Sequence, residues 1–98
     1  MPAKPNAEFT RDLYRAILTL ETVEECDAFF KDLCTIPELK ALSQRFAVAE
    51  MLEKNMVYNK IVEATGASTA TISRVKRSLD YENAGGYNLV FARMKDES

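Results

Sequence analysis

Ninety-eight residues, 47% of them apolar and 29% charged, with a net charge of −2, describe one domain, residues 1–98, with enough apolar mass for a core. No apolar run approaches the roughly 18 residues of a membrane span, the N-terminus lacks the apolar stretch of a secretory signal, and the absence of histidine excludes a His-based zinc site or a His-dependent triad. Few glycines and prolines among many Ala, Leu, Glu and Lys favour an all-α, soluble, cytoplasmic protein with no metal, no cofactor and no membrane partner.

The apolar stripe of Phe9, Leu13, Tyr14, Ala16, Ile17, Leu18 and Leu20 predicts a first helix over residues 8–21. Thr22-Val23-Glu24-Glu25 has the form of a capping box, so a second helix begins at Thr22 and carries Val23, Cys26, Phe29, Phe30 and Leu33. If one helix holds both Cys26 and Cys34, they lie roughly 12 Å apart by the helical rise, too far for a bridge within it. Both read as buried small apolar residues. Thr35-Ile36-Pro37 opens a third helix, with Pro37 in its first turn, running through Leu39, Leu42, Phe46, Val48, Met51 and Leu52 to about Lys54. A break is expected over residues 80–86, with Asn83, Gly85 and Gly86, then a short last helix over residues 87–94. The tails, residues 1–7 and 95–98, are expected to fray.

Phe9, Leu13, Tyr14, Ile17, Leu18, Leu20, Phe29, Phe30 and Leu33 are more large apolar side chains than a small bundle needs, unless they fill a monomer core. A homodimer would cover them, with residues 8–54 and 87–95 as dimerisation helices.

Residues 57–79 carry the chemistry. They read as a short helix, a turn at Gly66 and a second helix, the order of a helix-turn-helix. Gly66 can take the positive φ of a sharp turn. Ile61 before it and Ile72 after it can meet between the helices, with Ala67 small enough to let them approach and Val75 and Leu79 continuing the apolar stripe. Ser68 or Thr69 can cap the second helix. Thr69, Ala70, Thr71, Ser73 and Arg74 then fall on or near the outward face, where short side chains let a helix lie close to base edges. The segment holds four cations (Lys60, Arg74, Lys76, Arg77) against one acid (Glu63), a local +3 on a chain of −2, so the remainder carries −5. A basic module on an acidic body points to a polyanion contact at this site; the alternative is a solvated basic face, since Lys and Arg near a helix C-terminus also favour the dipole.

Gly66-Ala67-Ser68-Thr69-Ala70-Thr71-Ile72-Ser73-Arg74 resembles the turn and recognition helix of the Trp repressor superfamily, and Ser43-Gln44-Arg45-Phe46-Ala47-Val48-Ala49-Glu50-Met51-Leu52 resembles its long central helix. The fit is closer to the Trp-repressor-like YerC/YecD family and spans residues 10–94. The resemblance implies an interlocked all-α homodimer of about six helices whose N-terminal helices wrap around the partner. It also implies base contacts, largely through water, from Thr69, Ala70 and Thr71, with Ser73 placed for phosphate. An arginine and a lysine that the repressor uses on DNA are replaced at Asn59 and Val62; Lys60, Lys76 and Arg77 offset the loss. The expected DNA-binding set is Asn59, Lys60, Ser68, Thr69, Ala70, Thr71, Ser73, Arg74, Lys76 and Arg77.

The repressor's corepressor pocket maps onto Gln44, Arg45, Arg74 and Ser78. Arg74 and Ser78 match. A second arginine falls on Gln44, with Arg45 one residue away on a different helical face, and a glycine becomes Val75, crowding the indole position. L-tryptophan is therefore not expected as the effector, and the identity of any effector stays open. These features together point to a homodimeric, sequence-specific regulator of transcription that binds double-stranded DNA. The alternatives are a helical protein-interaction module using the same surface or a tryptophan-type ligand-responsive repressor. An enzyme is not expected, because the carboxylates are scattered along helices and no nucleophile and base stand at a recognisable spacing.

Overall fold

The computed structural model describes residues 7–81 and 84–96. Six helices follow one another: α1 (Ala7–Ile17), α2 (Val23–Leu33), α3 (Ile36–Glu53), α4 (Tyr58–Thr65), α5 (Thr69–Asp80) and α6 (Gly86–Asp96). No strand occurs among the described residues, and none of these helices is long and apolar enough to cross a membrane. The chain divides into two units, residues 1–39 and residues 40–98, at a point inside α3.

Side chains set the helix ends. α1 stops at Ile17, short of the expected Glu21. The Thr19 hydroxyl donates to the Ala16 carbonyl at 2.7 Å, and the Thr19 and Leu20 amides turn back to carbonyls three residues earlier, closing the helix in tight turns. The expected cap at Thr22 is present: its hydroxyl accepts the Glu25 N–H at 3.0 Å. The Glu25 carboxylate reaches past Thr22 to the Glu21 N–H at 2.8 Å. A second box, missed in the sequence, starts α3. The Thr35 N–H donates to Glu38 Oε1 at 2.8 Å and the Glu38 N–H donates to the Thr35 hydroxyl at 3.2 Å. The Thr35 backbone N–H, and after it the side chain, holds the Glu38 carboxyl below its ordinary pKa.

α3 ends at Glu53 and is closed by Asn55, whose φ is +62°. The Asn55 N–H donates to the Leu52 carbonyl at 2.9 Å and the Met56 N–H to the Met51 carbonyl at 3.0 Å, the pair of bonds of a Schellman cap. Asparagine tolerates this left-handed position because its short polar side chain bonds locally.

No side chain of residues 7–39 is fully enclosed. Leu18 and Val23 are 82% and 78% exposed, and Phe9 is exposed too. Phe29 and Phe30 meet edge to face, ring centroids 5.6 Å apart. Cys26 and Cys34, expected to be buried, are half-buried free thiols, because no core lies beneath α2.

Residues 40–98 hold the core: Val48 and Ala49 of α3, Ile61 of α4, Ala67 of the turn, and Ile72 and Val75 of α5. Met51, Leu52, Tyr58, Val62 and Leu79 pack around it half-buried. α6 adds Tyr87 and Phe91; the Phe91 ring lies 5.6 Å from Phe46 and stacks on Tyr87 at 5.9 Å. α6 is longer than the expected span of residues 87–94, so Lys95 and Asp96, like Ala7, are helical instead of frayed. Residues 1–6, Asn83 and residues 97–98 lie outside the described residues.

Candidate nucleic-acid interface

Gly66 closes α4 with φ +74° and donates its N–H to the Val62 carbonyl at 2.8 Å. This single left-handed residue reverses the chain so that Ala67, 2% exposed, drops into the core and Ile61 and Ile72 are both fully enclosed. The apolar contact expected between the two helices is therefore the centre of the unit. Thr65 brackets the turn: its hydroxyl donates to the Ile61 carbonyl at 2.7 Å and accepts the Ala67 N–H at 3.0 Å.

Of the two candidate caps for α5, Ser68 is the one used. Its oxygen accepts the Thr71 N–H at 3.1 Å, and its hydroxyl donates to Thr71 Oγ1 at 3.1 Å. The first turn of α5 thus presents free backbone N–H groups and the positive end of a helix dipole at the surface. Ser68, Thr69, Ala70, Ser73, Arg74, Lys76 and Arg77 are exposed, as are Asn59 and Lys60 on α4. Thr71 is half-buried, tied to Ser68. Ala70, Ser73, Arg74 and Arg77 stand at helical spacing on one face and line an open hollow of about 440 Å³. No ion pair engages Arg74 or Arg77 among the described residues. Lys76 differs. Its Nζ lies 2.9 Å from Asp80 Oδ2, one turn along α5, and that hydrogen bond, with the charge behind it, raises the lysine above its ordinary pKa. The i,i+4 spacing of the pair is visible in the sequence, with Asp80 just beyond residues 57–79.

Gln44, Arg45 and Arg74 line one small cleft of about 220 Å³ with Ala41, Thr71 and Val75. Arg45, next to Gln44 on α3 and on a different helical face, lines the same cleft. Ser78 does not line it. The Gln44 amide is engaged elsewhere: its Nε2 donates to the Thr65 carbonyl at 3.1 Å. This link between residues 21 apart has no local signal in the sequence.

The arrangement offers cations and a helix N-terminus to anionic oxygens and short hydroxylated side chains to polar edges. The chain is similar to the "Uncharacterized protein YerC" of Bacillus subtilis (strain 168), 52% identical over 84 residues that cover 86% of this chain and 80% of that protein. It is similar in structure to a TrpR like protein from Eubacterium eligens ATCC 27750, with a TM-score of 0.85 and 52% identity, covering 91% of each chain. A crystal structure from Staphylococcus aureus superposes with a TM-score of 0.83 at 45% identity, covering 95% of this chain and 96% of that one. The family model described as Trp repressor protein matches residues 9–95, nearly the whole of the described structure, and the chain belongs to that family, one of DNA-binding regulators and not of enzymes.

Proposed function

We propose that this chain is a homodimeric, sequence-specific DNA-binding regulator of transcription that acts in the cytoplasm through α4 and α5. One observation carries the reading: α5 has an exposed face with short side chains in its first turn and cations from Arg74 onward, held by a left-handed turn and a core that fully encloses Ile61 and Ile72. In this reading Arg74, Arg77, Lys76, Lys60 and Asn59 hold phosphates, while Thr69, Ala70, Thr71 and Ser73 meet the bases and sugar-phosphate edge, with Ser68 setting the cap. Residues 8–54 and 87–95 form the dimer. Residues 7–39 have no fully enclosed side chain, and Leu89, Val90 and Met94 of α6 are exposed as well, so a second copy supplies the covering contacts. A two-fold pair would read half-sites about one DNA turn, roughly 34–36 Å, apart.

The test is affinity for a duplex selected by the protein from a random-sequence pool, measured against salt. Each phosphate contact removed should reduce the slope of log K against log salt by about 0.9. Arg77→Ala should therefore weaken selected and random DNA alike. Thr71→Ala should cost about 1–3 kcal/mol on the selected duplex only, if its methyl or hydroxyl meets a base. Selection that enriches no sequence, or binding without salt dependence, would overturn the reading.

A further inference from the structure

The turn between α4 and α5 is tied to α3 by a polar contact as well as by packing. The Gln44 side-chain amide donates to the Thr65 carbonyl at 3.1 Å. Thr65 is the last residue of α4, where helix carbonyls lack intrahelical partners. Three other polar groups of the turn are engaged locally: the Gly66 N–H on the Val62 carbonyl, the Ala67 N–H on the Thr65 hydroxyl, and that hydroxyl on the Ile61 carbonyl. Gln44 completes the network from outside. Val48, one turn further along α3, belongs to the same core cluster as Ile61 and Ala67. Apolar contacts alone let a helix pair rock, because they are not directional. A hydrogen bond fixes a distance and a direction.

Resting on the DNA-binding reading above, we propose that Gln44 is a positioning residue for DNA reading: through the Thr65 carbonyl, its amide sets the angle at which the start of α5 meets base edges. Base contacts tolerate little displacement, whereas Arg and Lys reach phosphates on long flexible stems. Loss of the Gln44 bond therefore acts on sequence discrimination and spares electrostatic binding.

The experiment compares wild type, Gln44→Leu and Gln44→Lys on two duplexes, one selected by wild type from a random pool and one of random sequence, each across a salt series. Leucine keeps the bulk and lacks the donor; lysine restores a donor of similar reach. Gln44→Leu is expected to lose about fivefold on the selected duplex, equivalent to ~1 kcal/mol at 1.4 kcal/mol per decade. Its affinity and salt slope on random DNA should stay at the wild-type values, and amide exchange at Gly66 and Ala67 should quicken. Gln44→Lys should recover the ratio of selected to random affinity while its added charge raises both. A leucine variant that keeps the wild-type ratio overturns the proposal, and so does one that loses both affinities equally. If circular dichroism shows Gln44→Leu unfolded, Gln44→Met is judged by the same ratio. Wild type that binds neither duplex overturns the DNA-binding reading itself, which no Gln44 variant could do.

Discussion

Gly66→Ala isolates the cost of the left-handed turn that presents α5. Gly66 sits at φ +74°, and a Cβ built there meets no heavy atom within 4 Å. The substitution therefore introduces no clash, and its whole cost is the backbone conformation. An L-residue in this region is disfavoured by roughly 1–2 kcal/mol. Restricting the unfolded chain returns roughly 0.4–1 kcal/mol. At mid-range the net loss is about 0.8 kcal/mol per chain, or about 3–6 °C in Tm for a protein of this size. Gly66→Asn should lose less, because asparagine tolerates the left-handed region, and Gly66→Val more, because a β-branched side chain does not. The assay is urea unfolding followed by circular dichroism at one fixed protein concentration, with the denaturant slope expected to stay constant across the series. DNA affinity of the alanine variant should stay near wild type, because the enclosed Ile61, Ala67 and Ile72 side chains are unchanged. An alanine variant as stable as wild type would refute the reasoning, as would a loss beyond about 3 kcal/mol or a reversal of the Asn and Ala order.

Sedimentation at low micromolar concentration should report about twice the 11.1 kDa chain mass, and Ile17→Glu or Phe29→Glu should unfold the chain as it dissociates; a folded wild-type monomer would end the dimer reading. The Glu38 carboxyl is held below its ordinary pKa in the folded state, so its contribution is present above the unfolded carboxylate's pKa and lost as pH falls through the lower folded value. Thermal melts should thus show wild type losing its advantage over Glu38→Gln across the acid carboxylate range, and an equal advantage at neutral and strongly acid pH would count against it. L-tryptophan should fail as an effector because Val75, almost fully buried, stands beside the cleft. Arg45 and Arg74 both line that cleft, so cations are present and the penalty rests on overpacking, typically ~1–3 kcal/mol or about five- to a hundredfold in affinity. The chain has no tryptophan, so a saturable change in indole emission at micromolar ligand, with tighter DNA binding, would contradict this.

Local patterns carried much of the fold. The helical spacing of Ile61, Ile72 and Val75 about a single glycine, the hydroxyls at Ser68 and Thr69, and the Thr22–Glu25 pair are short-range signals, and each describes an interaction that closes within a few residues. They were legible because capping and helical periodicity depend on neighbours along the chain. Where helix ends differ from the periodicity the cause is also local: Thr19 bonds back to Ala16 and ends α1 early, the Thr35–Glu38 box starts α3, and the left-handed Asn55 closes it.

Other features depended on residues far apart in the chain. The surplus apolar side chains of residues 9–33 were visible as a count, but only the tertiary structure shows that α1 and α2 bury none of them, since burial is a property of what packs alongside. The same holds for Cys26 and Cys34, whose small apolar character suggested an interior that α2 does not have. The convergence of Gln44, Arg45 and Arg74 on one cleft and the bond from Gln44 to the Thr65 carbonyl join α3 to a turn 21 residues away. Such contacts obey no periodicity. They arise when the Val48–Ile61–Ile72 core brings α3 against the helix-turn-helix, so composition and spacing alone determined which groups were available, and packing decided which of them met.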